Sequence, residues 1–262
     1  MLRALYSSAS GMQAQQMNLD VVANNLANVN TTGFKKSKVE FQDLLYQTDR
    51  SAGSEAGAGN QVPTSLQVGH GARAVATAKI FTNGEMYQTG EKLDIAIHGN
   101  GFFKVTLPDG TDAFTRDGAF KLNNSGGIVT NDGLPVTSFA GVTIPATATN
   151  ISISADGTVS LMDQGTNSTV GQITLSRFAN PAGMESIGGS LLRPTLASGT
   201  EETNTPGLAG MGQVQQGYLE LSNVKVVEEI VNLIKAQRAY EINSKAIQAA
   251  DEMMSMSNRL RG

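Results

Sequence analysis

Apolar side chains recur at alternating intervals of three and four residues from Leu2 to Leu26. This is the heptad spacing of helices that pair along one seam. The pattern predicts a long first helix that stops near Gly33, a residue able to form a left-handed turn or cap. The predicted contact residues along this seam are Leu5, Ala9, Met12, Gln16, Leu19, Ala23 and Leu26.

The other end of the chain carries a similar register. It predicts a helix that begins after a cap at Ser222 or Asn223 and is about 57 Å long at 1.5 Å per residue. A step of eight residues from Ile234 to Ile242 is a stutter, which locally unwinds a supercoil. We expect this helix and the first one to pair as a coiled coil. Its predicted contact residues are Val227, Val231, Ile234, Ile242, Ala246, Ala249, Met253 and Met256.

The first helix is rich in amides and poor in charge. From Met1 to Phe34, only Arg3 and Asp20 are charged. A helix exposed to water usually carries charges on its outer face, and a membrane helix would not carry so many amides. We therefore expect the helix to be buried between other helices, where amides can hydrogen-bond to neighbours. A helical hairpin that packs only on its own chain is the alternative.

The middle of the chain is predicted to be β-structure. Asn-Gly and Asp-Gly pairs, which are typical of hairpin turns, recur between alternating or apolar segments; they lie at 83–84, 109–110, 117–118, 132–133 and 156–157. The predicted fold is mixed and mainly β, with an antiparallel β-domain inserted between the terminal helices. The predicted domains are a coiled coil of 1–32 and 221–262, an extended or β connecting region of 33–84 and 206–220, and an outer all-β domain of 85–205.

No group of residues in the sequence indicates catalysis. His70 and His98 are the only histidines, cysteine is absent, and neither histidine has a second ligand at metal-binding spacing. Phosphate-loop and nucleophile-elbow motifs are missing. We expect no enzymatic activity, no cofactor and no metal. The alternative from another class is a wall hydrolase with two catalytic carboxylates hidden in the β-domain.

Net charge and hydropathy argue against nucleic acid as a partner and against insertion into a membrane. The net charge of −4 and the absence of a basic cluster argue against nucleic acid as a partner. No apolar run is long enough to span a bilayer, and the first residues do not have the pattern of a cleaved secretory signal. We expect no transmembrane segment. A self-association surface that does not close on itself generates a helical filament, so the residues point to a structural polymer subunit.

Two long segments resemble the flagellar rod and hook protein family. They are DVVANNLANVNTTGFKKSKVEFQDLLYQ at 20–47 and QGYLELSNVKVVEEIVNLIKAQRAYEINSKAIQAADEMM at 216–254. The resemblance extends over essentially the whole chain and is weaker in the β-domain. Within the family, the length and the segments GNGFFKV, FTRDGAF and TPGLAG favour a distal rod subunit; a proximal rod or hook subunit is the alternative.

The resemblance implies an axial subunit of the bacterial flagellar basal body. Such subunits leave by type III export without a cleaved signal and assemble into a hollow, straight drive shaft, with the terminal helices as its inner tube. The shaft transmits torque, conducts exported subunits and crosses the periplasm. The implied partners are further copies of the chain, proximal rod proteins, the hook protein, the surrounding basal-body rings and the export apparatus.

The segment 46–63 is rich in Gly, Ser and Ala, a composition typical of a flexible loop. The resemblance implies that rod subunits carry extra residues here that hook subunits lack. We expect the segment to become ordered between neighbouring subunits and to stiffen the rod. The residues that we expect to contribute to this stiffening are Tyr46, Arg50, Asn60 and Pro63.

Overall fold

The structure is a computed structural model that describes residues 2–53, 63–145, 148, 150–163 and 166–259. Contacts divide the chain into two compact units. The helical unit consists of 1–26, 37–78 and 226–262, and the β-unit consists of 27–36 and 79–225. The chain therefore passes between the units four times.

The helical unit contains both long helices and two small sheets. Strand β1 pairs with β4, and β2 pairs with β3 in an antiparallel ribbon. To within one residue of the unit's limits, its elements are α1 (Leu2–Ala27), β1 (Ser37–Asp43), β2 (Tyr46–Arg50), β3 (Leu66–Gly69), β4 (Ala72–Lys79) and α2 (Val226–Arg259).

The two predicted terminal helices are therefore confirmed. Helix α1 ends at Ala27, earlier than Gly33, because Asn28 starts a turn in which Thr31 donates to its backbone and side-chain oxygens. At the start of α2, Glu228 and Glu229 lie near the positive end of the helix dipole, and Arg259 lies in the last turn.

The β-unit is built from short strands. In chain order they are β5 (Met86–Gln88), β6 (Ile95–His98), β7 (Phe103–Thr106), β8 (Asp112–Thr115), β9 (Lys121–Leu122), β10 (Ile128–Val129), β11 (Asn150–Ile153), β12 (Thr158–Asp163), β13 (Thr166–Gln172), β14 (Leu175–Arg177), β15 (Glu185–Gly188), β16 (Leu191–Arg193), β17 (Glu202–Asn204), β18 (Gln213–Gln216) and β19 (Tyr218–Glu220). The described part of the β-unit also has 3-10 turns at Thr137–Phe139 and Pro181–Gly183.

These strands form several small antiparallel sheets, which confirms the predicted antiparallel β-rich middle. A four-stranded sheet has the order β15-β16-β8-β7, and a three-stranded sheet has the order β11-β12-β13. Strands β18 and β19 return to pair with β6 and β5. The segment just before α2 is thereby fixed to the first strands of the β-unit.

Only some of the predicted hairpin turns join strands that pair with each other. The pairs at 109–110 and 156–157 join strands that are hydrogen-bonded neighbours. The pairs at 83–84 and 117–118 do not, because the strands beside them pair elsewhere. Gly84 and Gly118 instead lie against carbonyl groups of other segments, where an added Cβ atom would overlap. Glycine is needed there for close backbone approach.

The core of the β-unit is largely aromatic and β-branched. Phe103, Phe120 and Phe139 are buried, and the Phe120 ring meets Phe103 and Phe139 edge-on at 5.0 and 5.5 Å between centroids. A smaller cluster contains Phe102, Phe114, Phe178, Met184 and Leu192, with Phe81 packed against it.

Candidate assembly surface on the terminal helices

The inner side of α1 buries small and polar residues. Among the described residues of this helix, the buried ones are Ala14, Val22 and Asn25. The Asn25 amide donates to the Ser37 carbonyl at 2.9 Å and to Glu229 Oε2 at 3.3 Å, and its oxygen accepts the Ser37 N–H at 2.9 Å. This amide thus joins α1 to both β1 and α2.

A second contact between the helices lies at Gly11. A Cβ atom added there would be 2.9 Å from Asn243 Nδ2, so glycine permits the close approach. The pairs Gly11–Asn243 and Asn25–Glu229 are separated by the same number of residues on each helix, in opposite chain directions. The helices therefore lie side by side and antiparallel over this stretch.

The predicted seam of α1 is only partly covered within one chain. Its large apolar residues are half-buried: Leu5, Met12, Leu19 and Leu26. Its smaller or polar positions are exposed: Ala9, Gln16 and Ala23. The buried residues Ala14 and Val22 do not belong to the register of three and four residues that defines the seam. They therefore lie on a different face of α1.

The predicted seam of α2 is exposed in the single chain. Val227 and Ile242, for example, retain 75% and 66% of their accessible surface. The exposed predicted positions are Val227, Val231, Ile234, Ile242, Ala246, Ala249, Met253 and Met256. The buried residues of α2 are Glu229, Ala236 and Ala250. We call the exposed residues Val227, Ile230, Val231, Ile234, Ile242, Met253 and Met256 the outer α2 face.

The β2–β3 ribbon carries part of the segment 46–63. Tyr46, Arg50 and Pro63 are exposed, whereas Asn60 lies outside the described residues. The ribbon contacts the start of α1 through the Arg3–Asp49 ion pair at 3.4 Å. A two-stranded ribbon has little stability alone, and the exposed side chains of this one leave surface for a further contact.

Gly33 stands where the chain enters the β-unit from α1. Its φ is +67°, and it is buried. An added Cβ atom would lie 2.5 Å from the backbone nitrogen of Asp117, and the Gly33 N–H donates to the Glu220 carbonyl at 2.8 Å. The residue thus supports a close crossing of chain segments.

A buried charge cluster beside this crossing was missed by the sequence analysis. Glu220 is fully buried, and its carboxylate accepts Lys35 Nζ at 2.5 Å and Arg116 Nε at 2.8 Å. Burial lowers the pKa of Lys35, which the Glu220 carboxylate opposes, and burial likewise lowers the pKa of Arg116. Arg116 and Glu220 are charged residues in otherwise apolar or strand-forming segments, which is a sequence signal for buried charges. Their spacing in the sequence does not indicate that they pair.

Nothing in the described part of the chain suggests catalysis at a metal. The residues at 2–53, 63–145, 148, 150–163 and 166–259 contain no group of three His, Asp or Glu placed to hold an ion. Within the same part, neither helix has the length and apolar character needed to cross a membrane. The exposed apolar helix surface is thus the feature with the clearest functional meaning.

Family models match three parts of the chain. Residues 5–35 match "Flagella basal body rod protein", residues 96–161 match "Flagellar hook protein FlgE/F/G D1 domain", and residues 215–260 match "Flagellar basal body rod FlgEFG protein C-terminal". The match at 5–35 contains most of α1, and the match at 215–260 contains all of α2.

Curated relatives match the chain over its full length. A flagellar basal-body rod protein FlgG of Borreliella burgdorferi is 49% identical, covering 100% of this chain and 99% of the relative. The FlgG protein of Caulobacter vibrioides is 48% identical, covering 99% and 100%. The rod protein FlgF of the same organism is 38% identical, covering 95% and 94%.

Proposed function

The chain belongs to the family of flagellar rod and hook proteins, and from this premise we propose that it forms the distal part of the rod. It is a structural component of the flagellar basal body and not an enzyme. The preference for the distal rod rests on identity: the FlgG relatives named above exceed the FlgF relative by about ten percentage points. A proximal rod or hook subunit is less well supported.

The observation that carries the proposal is the outer α2 face. Large apolar residues on one side of a long helix, each well exposed, indicate a surface that a partner covers. We propose that the partner is the α1 seam of neighbouring copies, in coiled-coil packing between subunits. Leu5, Met12, Leu19 and Leu26 are half-buried and so retain surface for this contact.

Such a contact joins two different surfaces, α1 of one copy and α2 of the next. A heterologous contact of this kind generates a helical polymer when the rotation from copy to copy does not close into a ring. The polymer would be a hollow shaft that transmits torque and conducts exported subunits across the periplasm. Its proposed partners are the proximal rod proteins, the hook protein, the basal-body rings and the export apparatus.

We further propose that the segment 46–63 stiffens the shaft. Tyr46 is 56% exposed on β2, and Leu66 on the paired strand β3 is also exposed. A neighbouring subunit that packs against this ribbon would resist sliding between subunits.

The first test places a charge on the outer α2 face. Ile242→Asp should prevent polymerisation, because the carboxylate would be desolvated in every subunit contact. Leu208→Asp is the matched control, since Leu208 is 62% exposed but lies in the β-unit. Electron microscopy of the purified chains, with isolated hook–basal bodies as templates, should show tubes from the wild type and the control alone. Tubes from Ile242→Asp would refute the proposed contact.

A further inference from the structure

The β-unit contains a pocket of about 460 Å³ beside the smaller aromatic cluster. This volume lies within the range of pockets that hold small molecules, so there is room for an inserted side chain. Phe81, Phe102 and Phe178 form apolar walls. Lys35 and Arg116 line its most buried part, and the more exposed lining residues are Arg177, Ala179, Pro181 and Glu202.

The buried end of the pocket carries an uncompensated positive charge. Lys35 and Arg116 share a single carboxylate, that of Glu220. At the exposed end, Arg177 and Glu202 neutralise each other at 2.7 Å. Among the charged residues that line the pocket or pair with its lining, the cations therefore exceed the anions by one.

The Arg116 guanidinium has no free donor for a ligand. Its Nε donates to Glu220, one terminal nitrogen donates to the carbonyl groups of Gly99 and Gly101, and the other donates to Ile97 O and Asn83 Oδ1. Arg116 therefore contributes charge to the pocket but no hydrogen bond.

Lys35 differs from Arg116 in this respect. An ammonium group has three N–H donors. Two of them reach Thr82 O at 2.8 Å and Glu220 Oε1 at 2.5 Å. No acceptor for the third occurs in the described part of the chain, although the side chain is only 4% exposed. A buried donor without an acceptor is costly, and the cost is greater when the donor is charged.

We propose that this pocket receives an acidic side chain from a second copy of the chain in the assembled rod. The carboxylate would accept the third Lys35 N–H and balance the excess positive charge, while the phenylalanine walls would cover the rest of the inserted side chain. This inference rests on the proposed function, which requires repeated contacts between copies.

Charge complementarity favours the chain itself as the partner. Its net charge is −4, and hairpin tips such as Asp109–Gly110 present exposed carboxylates. Hydrogen bonds from Thr111 lower the pKa of Asp109, which favours the ionised form of this carboxylate. An acidic turn of one copy and the pocket of the next form the two unlike halves of a heterologous contact.

Photo-crosslinking tests the proposal in assembled rods. A benzoyl-phenylalanine replaces Pro181 at the edge of the pocket, in a flagellated species whose own copy of the gene has been deleted. Irradiation of isolated hook–basal bodies should give a covalent dimer of the chain, and the linked peptide should contain Asp or Glu. The same probe at Ala140, an exposed residue outside the pocket, should not give this dimer.

Two variants connect the crosslink to the pocket chemistry. Lys35→Met should lower the dimer yield about tenfold or more, as expected for the loss of a charge-assisted hydrogen bond. It leaves Arg116 and Glu220 as a neutral pair, so the fold should persist in circular dichroism spectra. Ala179→Trp should also lower the dimer yield, because the larger side chain would fill the entrance of the pocket. It does not alter the buried charge cluster.

The outcomes separate this inference from the proposed function. If wild-type chains restore no rods, both fail. If rods form but the probe links only to another protein, to no protein, or to a peptide without an acidic residue, the pocket inference alone is overturned. Unchanged dimer yields in Lys35→Met and Ala179→Trp would also overturn it.

Discussion

Glu220 joins two cations that come from distant parts of the sequence. Its replacement by glutamine would leave Lys35 and Arg116 buried without an anion, so Glu220→Gln should destabilise the β-unit by about 3–5 kcal/mol. Glu202→Gln is the control, because that carboxylate forms an exposed pair with Arg177 and should matter by less than about 1 kcal/mol. Urea unfolding followed by circular dichroism measures both. Equal losses would contradict the assigned role of the buried cluster.

Gly33 combines a left-handed backbone with a close approach to another segment. Gly33→Ala should therefore cost more than the roughly 1–2 kcal/mol of a left-handed alanine alone. Gly110→Ala provides the comparison, since Gly110 has φ +79° but has no neighbour within 4 Å of an added Cβ atom. Thermal unfolding of the two variants separates strain from overlap. A midpoint for Gly33→Ala equal to that of Gly110→Ala would show that the close approach is unimportant.

Gly33 and the buried charge cluster also show which features could be predicted from the sequence. The turn composition around Gly33 predicts a helix stop, and the special conformation follows from glycine itself. The reason glycine is required, the backbone of Asp117 beside it, depends on a contact between residues far apart in the chain. The pairing of Glu220 with Lys35 and Arg116 could not be predicted for the same reason.

At the scale of elements, the spacing of residues predicted secondary structure correctly where the repeating residues are apolar. The heptad register predicted both helices, and in α2 it identified residues that share an exposed face. It did not identify the inner side of α1, because Ala14 and Asn25 are small or polar and produce no apolar repeat. Turn pairs predicted the hairpins at 109–110 and 156–157, but the same dipeptides at 83–84 and 117–118 serve close packing instead.

The β2–β3 ribbon should determine the shape of the polymer. Deletion of 46–63 removes β2 and thus its pairing with β3, while the residues of both helices are unchanged. Rods from the deletion chain should curve, because contacts that resist sliding between subunits are lost. Electron microscopy of rods from the deletion and the full chain gives their curvature directly, and straight deletion rods would refute the stiffening role.

At the scale of the whole molecule, the two units differ in how they depend on the chain ends. The β-unit uses 27–36 and 79–225, so a chain that stops at residue 225 retains all of it. This truncated chain should keep a protease-resistant β-unit and form no tubes. Limited proteolysis with mass spectrometry, combined with electron microscopy, tests both expectations. Loss of the resistant β-unit would show that its fold needs α2.

The helical unit draws on the first and the last residues of the chain, as the contacts of Asn25 with Glu229 and of Gly11 with Asn243 show. It therefore cannot be completed until the 34-residue helix α2 has been synthesised. Contacts of such large sequence separation form late in folding. In the export route proposed above, a subunit still threaded through the channel would have no finished surface for polymerisation. The order in which the chain emerges would thus delay polymerisation until α2 has emerged and packed against α1.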